Sequence, residues 1–302
     1  MRNILIIGSE GFIGKHLRTY FENEKMNVVC CDVVSIQREN YYQLVNTQSD
    51  LSAILERTKF EVCINAAGSA HVQFSYSNHY NDFSLNSVLV FTILSCIKNT
   101  NPECRFLNFS SAAVYGNPAA LPVSESQPTS PLSPYGWHKL YSEQICKEFF
   151  TFFNIPTISL RVFSAYGPGL RKQLFWDLYQ KSRKSNVLNL YGTGHESRDF
   201  IYIDDITNAV QCILDNGEFN GDAINIGSGY EATISDVAKN YLSHFGKDTT
   251  VNFSGDIKEG DPLNWRADIS ILKSLGFKQK TSLDQGIKNY FDWIIKDQEH
   301  GS

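Results

Sequence analysis

The chain has 302 residues with a net charge of −5 at pH 7, and 42% of its residues are hydrophobic and 20% charged. That is ordinary globular usage, and at about 150 residues per domain it allows one large domain or two. The acidic balance leaves no surplus of Lys and Arg for a phosphate backbone, no apolar run approaches the ~18 residues that span a bilayer, and no signal peptide is expected, so neither nucleic acid nor membrane is expected as a partner.

Strand-like runs at 3–7, 27–31, 60–65, 104–109 and 155–162 alternate with segments 12–24, 50–58, 80–99 and 134–153, whose apolar positions recur at spacings of three and four. This rhythm predicts an α/β fold with a parallel sheet covered on both faces. After Arg161 it breaks into shorter elements punctuated by Gly167-Pro168-Gly169, Gly192-x-Gly194 and Gly227-Ser228-Gly229, which reads as a smaller second unit. The expected division is 1–163 with about 196–217 as one domain, and 164–195 with 218–302 as the other. Segment 117–134, rich in Pro and Ser, reads as a linker or as an active-site loop. Seven cysteines, at 30, 31, 63, 96, 104, 146 and 212, are scattered without Cys-x-x-Cys. They are expected as buried thiols in a reducing cytoplasm, with no metal site.

Gly8-Ser9-Glu10-Gly11-Phe12-Ile13-Gly14 follows the first strand directly and opens the first helix. Glycines there permit a tight turn, let backbone approach a pyrophosphate and let helix pack close to strand, while the anion rests on unpaired N–H groups. Eighteen residues after Gly14, Asp32 closes the second strand, where a carboxylate accepts hydrogen bonds from an adenosine ribose and repels a 2′-phosphate. NAD(H) is therefore favoured. NADP(H) is the second choice, with Arg38 as its phosphate partner.

Tyr135-x-x-x-Lys139 alone is weak, since 15 tyrosines and a lysine frequency near 5% give about one chance match. Its context is stronger. Ser133 suits an N-cap and Pro134 a first helical position, so Tyr135 and Lys139 share one face a turn apart. A nearby ammonium is expected to lower the phenol toward neutrality and make it a proton donor and acceptor. Upstream, the strand at 105–109 ends at Ser110-Ser111, which places hydroxyls at the carboxyl edge of the sheet.

With these residues in place the chain resembles the extended short-chain dehydrogenase/reductases that act on nucleotide sugars. The resemblance rests on Gly8 to Gly14, Asp32, Asn65-Ala66-Ala67-Gly68, Ser110-Ser111-Ala112-Ala113-Val114-Tyr115-Gly116, Tyr135-x-x-x-Lys139, Leu160-Arg161-Val162-Phe163, Tyr166-Gly167-Pro168-Gly169 and Gly192-x-Gly194-x-x-x-Arg198-Asp199-Phe200. It implies a Rossmann-type doubly wound sheet with a smaller substrate-binding unit, Ser111, Tyr135 and Lys139 as the catalytic set, and Arg198 on the sugar-nucleotide diphosphate. The cofactor site it implies takes Gly8, Gly11, Phe12, Ile13, Gly14, Asp32, Ala66, Ala67, Gly68, Tyr135 and Lys139. On the substrate side, Lys172 or Lys258 would assist Arg198, with Ser111 on the C4 oxygen and Ser164 beside it. From the residues alone, Arg198 reads rather as a solvated charge or as the salt-bridge partner of Asp199.

The family's dehydratases carry Thr-Asp-Glu where this chain has Ser111-Ala112-Ala113, so water elimination is not expected. Ser110 to Gly116 looks most like the epimerase branch, but several departures point to looser cofactor and altered substrate contacts. No aspartate stands in Tyr41-Tyr42-Gln43-Leu44-Val45, the lysine near the Asn-x-Ala-Gly loop is replaced around Ala70-His71, Ser164 replaces an Asn, and Lys258 replaces an Arg. Phe74, Tyr76, Phe175 and Trp176 offer apolar surface for a 6-deoxy sugar, although the same aromatics serve as ordinary core. The expectation drawn from these departures is NAD(P)H-dependent reduction of a nucleoside-diphosphate 4-keto-6-deoxy-hexose at C4. The alternative is a nucleotide-sugar 4-epimerase with tightly held NAD, and a non-catalytic cofactor-sensing protein is the remote third. Helices 80–99 and 134–153 resemble the family's four-helix dimer interface, so a homodimer is expected.

Overall fold

Ile4-Leu5-Ile6-Ile7 has no polar face, and the strand it forms, β1 (Asn3–Ile7), is buried on both sides within a seven-stranded sheet. The computed structural model describes residues 2–46, 49, 51–246, 248–256 and 260–300. After β1 come α1 (Phe12–Asn23), β2 (Asn27–Asp32), β3 (Tyr41–Gln43), α2 (Ser52–Arg57), β4 (Val62–Asn65) and α3 (Val72–Ser77). A continuous helical stretch follows, made of α4 (His79–Phe83), a π-helical turn (Ser84–Val88) and α5 (Leu89–Thr100), and leads to β5 (Arg105–Ser111). A 3-10 turn (Ala112–Val114), α6 (Pro134–Phe153) and β6 (Thr157–Val162) complete the first half. Beyond them lie β7 (Ser164–Tyr166), α7 (Gln173–Ser182), β8 (Val187–Leu190), β9 (Ser197–Arg198), β10 (Phe200–Tyr202) and α8 (Ile203–Asn216). The chain closes with β11 (Asn220–Ile226), β12 (Ala232–Thr233), α9 (Ile234–Ser243), β13 (Thr250–Phe253), α10 (Ser270–Ser274) and α11 (Leu283–His300).

The sheet order is β11-β6-β5-β4-β1-β2-β3, with every pairing parallel. Strand order reverses between β1 and β4, which is where open α/β sheets form a ligand crevice outside their carboxyl ends. Register aligns those ends: Ile7 pairs with Cys31 and Asn65, Asn65 with Asn108, and Ser111 with Val162. Ile4 and Ile6 face a core shared with Leu17 and Phe21 of α1 and Ile206 and Val210 of α8. Leu5 and Ile7 face the opposite core, with Leu55 of α2, Ile93 and Ile97 of α5 and Phe149 of α6. The doubly wound α/β expectation is thus met.

Three features differ from the sequence reading. Residues 220–226, assigned there to the smaller unit, form β11 and pair with β6 as the last strand of the main sheet. The Gly221-Asp222 pair and a register shift between Asn220 and Ala223 conceal its apolar alternation. Segment 117–133 is no free linker: Val123 is buried, its N–H donates to the Arg266 carbonyl at 2.7 Å, and its own carbonyl accepts from Asp268 N–H at 2.8 Å. Finally, His79–Thr100 is 22 helical residues with mean hydropathy 1.2 in its most apolar window, enough by length and composition to cross a bilayer. Here that stretch packs against α2 and α6, with Asp82, Asn86 and Ser87 buried in protein. All seven cysteines are free thiols, six of them buried.

One buried ion pair ties the sheet to α6. Arg161 of β6 donates through NH2 to Glu143 Oε2 at 2.8 Å and through Nε to both carboxylate oxygens. Its NH1 donates to the Tyr115 hydroxyl at 2.8 Å and the Glu125 carbonyl at 3.2 Å. The Tyr115 hydroxyl donates to Asn225 Oδ1 on β11, and Ser110 donates to Glu143. Each of the three guanidinium nitrogens therefore has a partner inside the protein. Arg161→Met, which strands the Glu143 carboxylate, is expected to lower stability by about 3–5 kcal/mol. A urea melt checks this: the midpoint should fall, and Arg161→Met with Glu143→Leu should recover most of it.

Candidate active site

The loop after β1 closes as a clasp with no room for side chains. Gly8 lies at φ +81°, and a Cβ there would sit 2.4 Å from Ala67 N; one on Gly14 would sit 2.0 Å from the Gly8 carbonyl oxygen. The glycines thus bring the β1 loop, the first turn of α1 and the Ala66-Ala67 loop into direct contact. Gly11 is the N-cap of α1 and provides no side-chain cap, so the first-turn N–H groups are left for an anion. Asp32, almost fully buried, is held beside this loop: Oδ2 accepts from Glu10 N–H at 2.8 Å and Oδ1 from Val34 N–H at 3.2 Å. A pyrophosphate on the clasp with its ribose toward Asp32 fits this cradle, as a dinucleotide requires.

From the clasp a cavity of about 640 Å³ opens over the sheet edge, lined by Ile13, Ala66, Ala67, Gly68, Ser111, Tyr135 and Lys139. The predicted catalytic side chains therefore share one cavity. Ser133 accepts from Gly136 N–H and Pro134 opens α6, as the sequence predicts. Lys139 donates to the Phe109 carbonyl at 2.8 Å, while Ser111 Oγ accepts from Ala113 N–H at 3.1 Å and its hydroxyl favours the ionised form of Tyr135. Beneath them a polar chain links three elements: Asn65 to Asn108 at 3.1 Å, Asn108 to Ser142 at 3.0 Å, and Ser142 to the Lys139 carbonyl at 2.7 Å.

The titration of the pair corrects the expected phenol. Burial pushes Tyr135 up to about 12, with Ser111 lowering it and Asp82 raising it further. Burial likewise pulls the Lys139 ammonium down to about 8, against the opposing pull of Asp82 and Glu143. Desolvation is the largest influence on the phenol, with Ser111 and Asp82 the others, and it holds Tyr135 as neutral phenol.

Two further groups escaped the sequence reading. Asn86, in the π-helical turn, is buried and neither of its side-chain polar atoms has a partner among the described residues. A Cβ on Gly68 would meet its Oδ1 at 2.7 Å and Lys139 Nζ at 3.1 Å, so an unsatisfied amide and the lysine flank one point of the cavity loop. Asp82 is fully buried and bonds His138 Nδ1 at 2.6 Å. A π turn leaves no mark in residue spacing, and Ser84-Leu85-Asn86-Ser87-Val88 reads only as helix.

On the opposite wall, Arg198 is not the partner of Asp199. Its NH1 donates to the carbonyls of Ser197 at 2.8 Å and Leu263 at 3.2 Å, and its guanidinium lies 5.6 Å from the Trp265 ring. Asp199 instead accepts from Ser228 N–H and Oγ, Gly229 N–H and Ala267 N–H, all within 3.0 Å. Burial lowers Arg198, opposed by Asp261 and Glu196. Lys172 and Ser164 line the same cavity, and burial lowers the Lys172 ammonium. Lys258 lies outside the described residues. Phe175 reaches the cavity but packs among Tyr166, Phe200, Tyr241 and Tyr290 as core. No cluster of metal-ligating side chains occurs among the described residues.

Residues 4–227 match the model of the NAD dependent epimerase/dehydratase family. Over 96% of its length the chain is 31% identical to a Bacillus subtilis (strain 168) protein described as an uncharacterized UDP-glucose epimerase, covering 97% of that protein. A putative UDP-glucose 4-epimerase of Methanocaldococcus jannaschii is 27% identical over 96% of this chain and 98% of its own. The solved UDP-glucuronic acid 4-epimerase of Bacillus cereus, in complex with UDP-glucuronic acid and NAD, superposes with a TM-score of 0.88 at 28% identity, covering 97% of this chain and 99% of that one. The clasp itself is testable: Gly14→Ala forces a Cβ onto the Gly8 carbonyl and is expected to lower Tm and to abolish the rise in Tm that added NAD gives the wild type, as read by differential scanning fluorimetry.

Proposed function

The chain belongs to the NAD dependent epimerase/dehydratase family, and from that premise we propose that it is a nucleotide-sugar 4-epimerase acting on a UDP-sugar with NAD. The observation that carries this reading is the full-length likeness to UDP-sugar 4-epimerases, in a chain with Ser111-Ala112-Ala113 where dehydratases carry acid and base. It reverses the ranking drawn from the sequence's departures, which put C4 reduction first. Those departures concern contacts that hold or orient ligands, and none of them removes a group that epimerisation requires.

When bound, NAD supplies the acceptor that takes hydride from C4 and the donor that returns it. The clasp of Gly8, Gly11 and Gly14 with Phe12 and Ile13 would hold its pyrophosphate, Asp32 its adenosine ribose, and Lys139 with Asn86 the opposite end. Ser111 hydrogen-bonds the C4 oxygen. Tyr135 accepts the proton of the 4-hydroxyl as hydride leaves and gives it back when hydride returns to the other face, so the cycle is neutral in protons and electrons. Accepting that proton requires phenolate, which a cation beside the ring favours; Lys139, one turn along α6, is placed for this. Arg198 and Lys172 bind the substrate diphosphate. A homodimer through α5 and α6 accompanies this reading, supported by the half-exposed aromatics Phe91, Trp137 and Tyr141.

Two outcomes are expected. Purified protein incubated with UDP-glucose, UDP-galactose or the corresponding uronic acids should interconvert C4 epimers, resolved by chromatography, with no net change in NADH absorbance. Tyr135→Phe should cut kcat by about 10²–10⁴-fold with KM little changed. Stoichiometric loss of NADH with a 4-keto-6-deoxy sugar would instead establish the reductase. The second outcome concerns pH: kcat should rise with pH as more Tyr135 becomes phenolate and should cease rising or decline above about 8, where the Lys139 ammonium is lost. A rate that climbs steadily to pH 10, with no break near 8, would remove Lys139's charge from the chemistry.

A further inference from the structure

Glu10 stands inside the glycine clasp, and its side chain is turned away from the pyrophosphate seat into a cluster of cations. Its Oε1 accepts from Arg18 NH1 at 2.7 Å and from Arg38 NH1 at 3.1 Å, and Oε2 lies 3.8 Å from Lys15 Nζ. Glu10 is 10% exposed, Arg18 18% and Arg38 27%. The Glu10 N–H donates to Asp32 Oδ2, so the cluster adjoins the carboxylate that would face the adenosine ribose. Arg38 also lies over Tyr41, its guanidinium 5.1 Å from the ring centroid. Arg18 Nε and Arg38 NH2 are buried and have no hydrogen-bond partner among the described residues.

Two guanidinium groups with idle donors beside a ribose seat are what a 2′-phosphate would need, because their planar forks match phosphate oxygens. Here one carboxylate engages both. It also adds a second negative charge next to Asp32, and like charges brought together at a partly buried site repel strongly. We propose that Glu10 is a specificity-determining residue for the dinucleotide: by tying down Arg18 and Arg38 it denies them to a 2′-phosphate and keeps the site selective for NAD(H). The proposal deepens the functional reading above, since it rests on a dinucleotide occupying the clasp.

The test is direct binding, read by quenching of protein fluorescence during titration with NADH and with NADPH, for the wild type, Glu10→Gln and Glu10→Ser. Each protein is first checked for an unchanged circular dichroism spectrum. NADH should bind the wild type more tightly than NADPH. Either variant should tighten NADPH by at least about tenfold while leaving NADH within about threefold, and Arg18→Met with Arg38→Met in the Glu10→Gln background should erase the gain. Unchanged NADPH affinity in both folded Glu10 variants overturns the proposal, and so does a gain that survives loss of both arginines. A wild type that binds neither dinucleotide overturns the reading beneath it, which separates the two failures.

Discussion

The ion pair between Arg161 and Glu143 has almost no access to water, and the placement of the active site depends on it. Removing two charges from water is expensive, and such a pair persists only where further hydrogen bonds complete it. Here they come from four directions: Ser110 on β5, Tyr115 after the 3-10 turn, the Glu125 carbonyl in the strap 117–133, and through Tyr115 the Asn225 amide on β11. Glu143 lies two turns beyond Tyr135 on α6. The pair therefore fixes the helix carrying Tyr135 and Lys139 against the strand ending in Ser111, and any slip of one past the other would strand a buried charge.

The chemistry inherits that rigidity. The Asn65–Asn108–Ser142 chain joins β4 and β5 to the backbone of Lys139, while the glycine clasp locks the β1 loop to the loop after β4. The glycine clasp and the Tyr135–Lys139 pair thus stand on one frame. Within it, burial works against charge on both Tyr135 and Lys139, raising the phenol and lowering the ammonium. In so dry a cavity, any charge brought in by a ligand acts with little screening.

Much of this was readable in the residues. The strand rhythm located β1, β2, β4, β5 and β6, the Ser133-Pro134 start of α6 was legible as a cap, and Gly8 to Gly14 announced a turn whose crowding only glycine tolerates. What escaped was set by contacts distant in sequence. β11 hides behind Gly221-Asp222 and is recruited by pairing with β6. Asn86 gains its position from a π turn that spacing cannot show. Glu10 reads as a filler within the loop until Arg18 and Arg38 fold back upon it. The direction of the Tyr135 shift failed for a related reason: proximity to a lysine is visible in an i, i+4 spacing, whereas desolvation belongs to the whole cavity.

The wall opposite the catalytic residues is built differently from the plate beneath them. It is assembled from three separate two-stranded ladders, β10 with β7, β12 with β9 and β13 with β8, and it brings Ser164, Leu190, Arg198 and Phe200 to the cavity. None of these ladders is hydrogen-bonded into the seven-stranded sheet. The wall's strand pairings are therefore independent of those in the main sheet, so side chains that face the cavity from the wall can be exchanged without re-registering the strands that carry Ser111 and Asn65. For protein engineers the same partition marks where a library should be concentrated.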